Sequence, residues 1–423
     1  MTNSEIEFAA YIGMDWADQQ HDICLQAADS QQLESCRIEQ KPEVLITWVA
    51  QLRQRFQGRP VAIALEQSRG ALIYALIHYD FLVLYPVHPN TLASYREAFT
   101  PSGAKDDPDD AQLLLELVRL HRDKLRPWKA DDSLTRTISL LVEHRRKLIN
   151  DRTRLTNRLR ALLKQYFPQA LTWAGKLGHL LAVDFLTRWP DLSKVQQAET
   201  SDVRQFYREH GCRMGEKLEE RLIEINTAQS LTTDQAVITS SVSMTQAIVA
   251  QLRELFTGTA QFDQQIQNLY AQHPDAEIFG SLPGAGKALA PRLLAAFGAD
   301  RERYADACDV QRYSGTAPVT KRSGKTKFVQ RRRACPKFVR QSFHEFAGQS
   351  IHWSRWARAY YDQQRLRGNE HHEAIRALAY KWIRIIYRCW QQRVPYNEAT
   401  YIKALELRGS PLVKLIAPEG AQS

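Results

Sequence analysis

Residues 61–66 read VAIALE, five apolar residues in a row closed by a carboxylate. A strand that is wet on one face alternates apolar and polar side chains, whereas an unbroken apolar run of this length suits a strand covered on both faces. The run therefore calls for a sheet with helices above and below it, an α/β domain. Its surroundings agree. Residues 8–27 alternate apolar stretches about a polar turn and LESCRIEQ follows, which predicts three short antiparallel strands. PEVLITWVAQLRQRF has helical spacing with proline near its start, a helical stretch follows VAIALE, FLVLYPV is a second buried run, and DDPDDAQLLLELVRL opens another helix.

The resulting order, β-β-β-α-β-α-β-α, is the ground plan of ribonuclease-H-like nuclease domains, although periodicity alone establishes no more than α/β. From about residue 131 the period changes. Leu134, Ile138, Leu141, Leu148, Leu155, Leu159, Leu162 and Tyr166 recur at alternating spacings of three and four, with Arg145 and Arg152 at two seam positions. The spacing predicts a long coiled-coil-like helix. It carries nine Lys or Arg, so its outer faces either follow a phosphate backbone or form an ordinary solvated arm. A second seam, Ile248, Leu252, Leu255, Phe262, Ile266 and Leu269, predicts an antiparallel partner for this helix or for a second copy. Residues 168–240 between them have no clear period.

With 423 residues the chain is long enough for two or three cores. Its net charge of +10 makes a polyanion the expected partner, and no apolar stretch nears the ~18 residues a bilayer span requires. Nucleic acid is expected ahead of membrane, and no basic-then-apolar signal peptide opens the sequence. The six cysteines are scattered without a C-x-x-C pair and read as small buried apolar residues in a reducing, cytoplasmic compartment. Two nucleotide motifs fail: Leu289 stands at the third glycine of a G-x-G-x-x-G pattern, and Val319 stands where a P-loop ahead of Gly324-Lys325-Thr326 requires glycine. ATP and NAD are unsupported. SLPGAGKALAPRLLAAFG is similar to a helix-hairpin-helix element, and the aromatic-rich segments HWSRWARAYYDQQRL and AIRALAYKWIRIIYRCW read as core helices with a basic outer face.

Four acids stand out by position. Asp15 ends the first strand and Glu66 ends the buried one, where acids of an α/β sheet face a common crevice. Asp107 and Asp110 lie three apart at a helix start and so share a face. Converging carboxylates suit hard divalent ions, Mg²⁺ or Mn²⁺, that serve phosphoryl transfer. The plainer alternative makes Asp107 an N-cap before Pro108, with Asp110 favoured by the helix dipole. Of the four, Glu66 fits a merely structural role least, because a buried lone carboxylate is costly.

Near the other end, residues 321–340 hold nine Lys or Arg about one Ser-Gly pair. Arg322, Lys325, Lys327, Arg331, Arg332, Arg333 and Lys337 can grip phosphates, with Arg145 and Arg152 of the long helix as further candidates. Composition alone makes this stretch a phosphate-gripping loop with an incidental serine. Ser314 in YSGTAP is a competing serine in a less basic context.

GMDWA, ALEQSRG and KDDPDDA resemble the D…E…K-x-D-x-x-D-A signature of the DEDD-type insertion-sequence transposases, the insertion sequence one-hundred-and-ten family, to which pilin-gene invertases are similar. SLPGAGKALAPRLLAAFG…YSGTAPVTKRSG resembles that family's C-terminal transposase domain. The resemblance covers roughly 8–125 and 276–395, in order. It implies a RuvC-like domain over 1–128 with Mg²⁺ held by Asp15, Glu66, Asp107 and Asp110, and a helical coiled-coil linker with an insertion over 129–275. It further implies a mostly helical transposase domain over 276–400 and a tail over 401–423. Ser323 would attack a DNA phosphate to form a phosphoserine. A guide RNA made by the element would pair with donor and target DNA, and acids of one subunit would meet the serine of another in a dimer or tetramer associated with the bacterial nucleoid. Trp16, Asp18 and EQSRG depart from the pattern, and Asp106 and Asp109 are alternatives within the DDPDD run. The rival readings are a RuvC-like nuclease that uses only the acids and water, and a non-enzymatic nucleic-acid-binding protein in which the acids are caps.

Overall fold

The computed structural model describes residues 6–66, 70–99, 107–212, 215–324 and 326–416, with Asp107 and Pro108 described by backbone alone. The chain divides into two compact units, 1–130 and 131–423.

In the first unit, strands β1 (Ala10–Trp16), β2 (Gln20–Ala27), β3 (Glu34–Glu39), β4 (Val61–Leu65) and β5 (Leu82–Pro86) form one sheet in the order β3-β2-β1-β4-β5. β1, β2 and β3 pair antiparallel, while β4 lies parallel between β1 and β5. Helices α1 (Pro42–Arg55) and α2 (Ala71–Leu76) cover one face, where Trp48, Leu52 and Leu72 meet Ile12, Ile63 and Leu65. Helices α3 (Pro89–Phe99) and α4 (Asp107–Leu120) cover the other, where Leu92, Leu114 and Val118 meet Ala62, Ala64 and Tyr85. The apolar run of β4 is thus explained: all five residues are buried, between strands on two sides and helices on two faces. The apolar run predicted this sheet, but not α3, whose PNTLASYREAF carries one fully buried leucine and little amphipathic signal.

The second unit is built on two long helices, α5 (Ser133–Tyr166) and α11 (Gln235–Tyr270). Side-chain carboxylates cap both, with Asp132 accepting from Thr135 N and Asp234 from Ala236 N. They run antiparallel within one chain. Arg145 is paired with Asp263, Arg152 lies over the Phe256 ring, and the Tyr166 hydroxyl meets Thr245. Between them in sequence lie α6 (Ala170–Trp173), α7 (Leu180–Arg188), α8 (Leu192–Gln196), α9 (Thr200–Glu209) and α10 (Gly215–Thr227). This aperiodic stretch forms a core of its own with the far halves of the long helices, in which Leu159, Leu163 and Leu252 meet Phe185, Phe206 and Tyr207.

The C-terminal segment holds α12 (Ala276–Gly280), α13 (Gly286–Phe297), α14 (Ala307–Tyr313), the hairpin β6 (Val319–Ser323) and β7 (Thr326–Gln330), α15 (Lys337–Ser350), α16 (Arg355–Leu366), α17 (His371–Gln392) and α18 (Glu398–Leu407). Trp356, Trp382 and Trp390 are fully buried, as expected of core helices, each removing enough apolar area to stabilise the fold by roughly 4–6 kcal/mol. The same core takes in Ile138 and Val142 of α5 and Ile266 of α11, so the sequence boundary near 275 does not separate two bodies. Leu405 and Leu412 join it as well, so the segment after 400 is packed at least to that point. Of the cysteines only Cys24 is buried; Cys36 and Cys308 are exposed, contrary to the expectation of six buried thiols, because edge strand β3 and the start of α14 face water.

Candidate functional site

Strand parity assigns the acids to one side of the first sheet. Ile12 and Met14 of β1 face α1 and α2, so Gly13 and Asp15 face α4; on β4, Ala62 and Ala64 face α4, and Glu66 follows with the same parity. Met14 is the register partner of Leu65 in the parallel pair, which makes Asp15 and Glu66 the next residues along neighbouring strands. Both therefore leave the same end of the sheet on the same face.

Helix α4 completes the arrangement. A Cβ at Gly13 would lie 1.9 Å from the Ala111 carbonyl oxygen and 2.4 Å from Leu115 N, so glycine alone lets the helix rest on β1. Beyond the other end of α4, Arg122 lies over Phe8 and donates to the Ile6 carbonyl. The helix consequently runs opposite to β1, with its N-terminus, where Asp107 and Asp110 stand, above the strand ends that carry Asp15 and Glu66. Asp15 is 9% exposed and Asp110 1%, while Glu66 is half-buried and Asp109 is exposed. Burial thus favours Asp110 over Asp109 as the inward acid. Asp106 lies outside the described residues.

Asp110 does not act as a helix cap. Its Oδ1 accepts from Arg96 Nε of α3 at 2.7 Å, and its buried Oδ2 has no hydrogen-bond partner. A second acid, Asp22 on β2, stands directly opposite Asp15 and pairs with Arg37 at 2.9 Å. Sequence reasoning missed both Arg96 and Asp22: neither belongs to a motif, and only the strand register and the position of α3 bring them in. The donor set is carboxylate oxygen, with one orphaned buried oxygen aimed at no protein donor, which fits a hard divalent ion. Among the described residues no three His, Cys, Asp or Glu side chains are already close enough together to hold one.

Ser323 belongs to the second unit. It ends β6, opposite Thr326, with Gly324 next to it at φ +55°, a conformation that glycine adopts without a steric penalty. Ser323, Arg322 and Lys327 are exposed, as are Phe328 (63%) and Val329 (61%). Lys325 lies outside the described residues. Arg331 and Arg333 are exposed, Arg332 is half-buried and donates to the Ala317 carbonyl, and Lys337 begins α15 at the surface. Ser314, by contrast, is fully buried and bonded to Gln311 and Thr316, a helix-end role that removes it as a nucleophile.

Comparison with known proteins matches these two regions separately. A DEDD-type transposase model named for IS110 covers residues 12–168, which include all four acids, and the model of the transposase IS116/IS110/IS902 family covers 276–362, which include Ser323. The chain is similar to the mini-circle putative transposase for IS117 of Streptomyces coelicolor, with 28% identity over 93% of this chain and 97% of the relative. It is also similar to the uncharacterized 42 kDa protein of insertion element IS900 of Mycobacterium paratuberculosis, with 25% identity over 92% and 98%. The uncharacterized 43.6 kDa protein of IS110 from Streptomyces coelicolor shares 28% identity over 68% and 71%. The chain belongs to the IS110 family of insertion-sequence transposases and is a DNA transposase. Among the described residues no helix is long and apolar enough to cross a membrane.

Proposed function

We propose that this transposase is a site-specific recombinase that cuts and rejoins DNA through a covalent phosphoserine at Ser323. Asp15, Glu66, Asp107 and Asp110 would hold Mg²⁺ or Mn²⁺ on a ribonuclease-H-like, RuvC-like domain. The observation that carries the reading is the shared end and face of Asp15 and Glu66 beneath the α4 N-terminus, the helix end that also carries Asp110 with its buried, unpartnered Oδ2. A divalent ion bound there would polarise phosphate oxygens and offset the charge that develops on them.

In the covalent step a bond forms between Ser323 Oγ and phosphorus, and the bond from phosphorus to one deoxyribose oxygen breaks. The serine proton passes to a carboxylate of the acidic set and is returned to the departing oxygen; a strand hydroxyl attacking phosphorus reverses the step and restores the serine. Arg322, Lys325, Lys327, Arg331, Arg332, Arg333 and Lys337 hold the phosphates. An isolated two-stranded hairpin with exposed Phe328 and Val329 is marginal alone, so DNA that covers it would also order it. Arg152 adds a contact on α5, while Arg145, already paired with Asp263, serves the helix pair. The coiled-coil-like α5 and α11 form an arm, and an RNA made by the element directs the strands. Acids of one copy act with the serine of another in a dimer or tetramer. The test is cutting and strand exchange by Ser323→Ala: loss of both with DNA binding intact supports the recombinase, unaltered exchange overturns the serine's role, and cutting that persists without any exchange leaves a nuclease that uses acids and water.

A further inference from the structure

The stretch 168–240, which no motif explains, borders an acid-free cleft of about 580 Å³ between the second half of α5 and residues 171–179. Arg152, Arg160, Lys176 and His179 line it, with Thr153 and Asn157 between them. Among the described residues none of these four basic side chains pairs with a carboxylate: Arg152 lies over Phe256 and Arg160 donates to the Asn157 amide oxygen. Helix α7 starts at the rim, with His179 as its N-cap and no side-chain cap, so its first N–H groups and the positive end of its dipole add to the field. The Thr156 hydroxyl is buried without a partner and faces Gly178 across the cleft, where a Cβ would lie 4.0 Å from it.

A larger neighbouring cleft, about 1020 Å³, differs in the property that matters. There Arg154 and Arg253 are matched by Asp151 and Asp184, and Glu254 also lines the wall, so the charges cancel locally. In the acid-free cleft no carboxylate among the described residues offsets the positive charge. No Phe, Tyr or Trp ring lines it for base stacking, and its hydrogen-bonding groups are mostly donors, a pattern that fits phosphate rather than base edges.

We infer that this cleft grips the phosphate backbone of duplex DNA, away from the bonds that are cut, and that this is what the insertion between α5 and α11 contributes. The inference rests on the chain acting as a DNA transposase. Binding of this kind is independent of base sequence and sensitive to salt: each phosphate the protein ceases to neutralise lowers the slope of log affinity against log salt by about one.

Arg160 and Lys176 are exposed, so their reversal leaves the core intact. In the full chain, Arg160→Glu with Lys176→Glu should weaken binding of a duplex of arbitrary sequence roughly tenfold or more at about 0.15 M salt and lower the salt slope by about two. The melting temperature should not change. A charge-matched pair on α8 and α10, Lys194→Glu with Lys217→Glu, should do much less. Equal weakening by the two pairs, or no change in slope, would overturn the inference, as would a loss confined to single-stranded RNA with duplex DNA binding intact. Because the readout is binding, a failure of the serine and acid chemistry shows up separately, as lost cutting by DNA that is still bound.

Discussion

Arg96 gives Oδ1 of Asp110 its hydrogen bond at 2.7 Å and leaves Oδ2 of that buried carboxylate with none. The ion pair holds the carboxyl in one orientation, much as an outer partner fixes a metal ligand. Arg96→Ala would strand a buried charge and should destabilise the first unit by about 3 kcal/mol, with Arg96→Lys costing less. Added Mg²⁺ should recover part of the loss in Arg96→Ala. Urea unfolding with and without the ion checks this, and an unchanged midpoint in Arg96→Ala would show that the pair is not needed.

Gly13 sets how closely α4 approaches β1. A methyl group at this position meets two backbone atoms, which cannot yield as a flexible side chain does, so Gly13→Ala should cost at least the roughly 1–3 kcal/mol of an overpacked core. It should also lower divalent-ion affinity by shifting Asp110 relative to Asp15. A calorimetric melt and a Mn²⁺ titration measure the two effects.

The sheet was legible because its evidence is local: VAIAL lies between two parallel strands, and β1 and β2 have apolar cores about a polar turn. Asp15 and Glu66 could be placed at strand ends for the same reason. Their common face follows from register, which a single sequence does not display, and Arg96 reaches the site from a helix with little periodic signal. The serine hairpin read as a basic loop because nine of its ten strand positions are exposed and none is buried, without an alternating buried face to mark a strand. Residues 168–240 had no visible period because their helices are short and pack in several directions around Phe185, Phe206 and Tyr207.

Removing charge from the acids should separate chemistry from binding. Asp15→Asn and Glu66→Gln keep the size of each side chain and should abolish DNA cutting while leaving affinity within about threefold, under 1 kcal/mol. Gel-shift and cleavage assays on the same preparations decide between this and the capping role, which predicts normal cutting.

His210 gives the helical unit a pH dependence. Burial lowers its pKa, but the Asp184 carboxylate at 2.8 Å and the Phe206 carbonyl outweigh that and raise it above the usual 6.5. Burial raises Asp184 in turn, and its bonds from His210 and Arg253 bring it below the usual carboxylate value. A raised histidine contributes stability that is complete below pH 6.5 and is lost as the pH rises through the folded value. Melting temperature should therefore fall as the pH rises above 6.5 in the parent protein, and His210→Gln should flatten that fall.

The covalent step is tested most directly by trapping the protein on DNA during cutting and mapping the attached residue by mass spectrometry. The account predicts a phosphate-linked peptide carrying Ser323, absent from Ser323→Ala and from Asp15→Asn. Efficient cutting without any adduct, or an adduct that persists in Ser323→Ala, would contradict it.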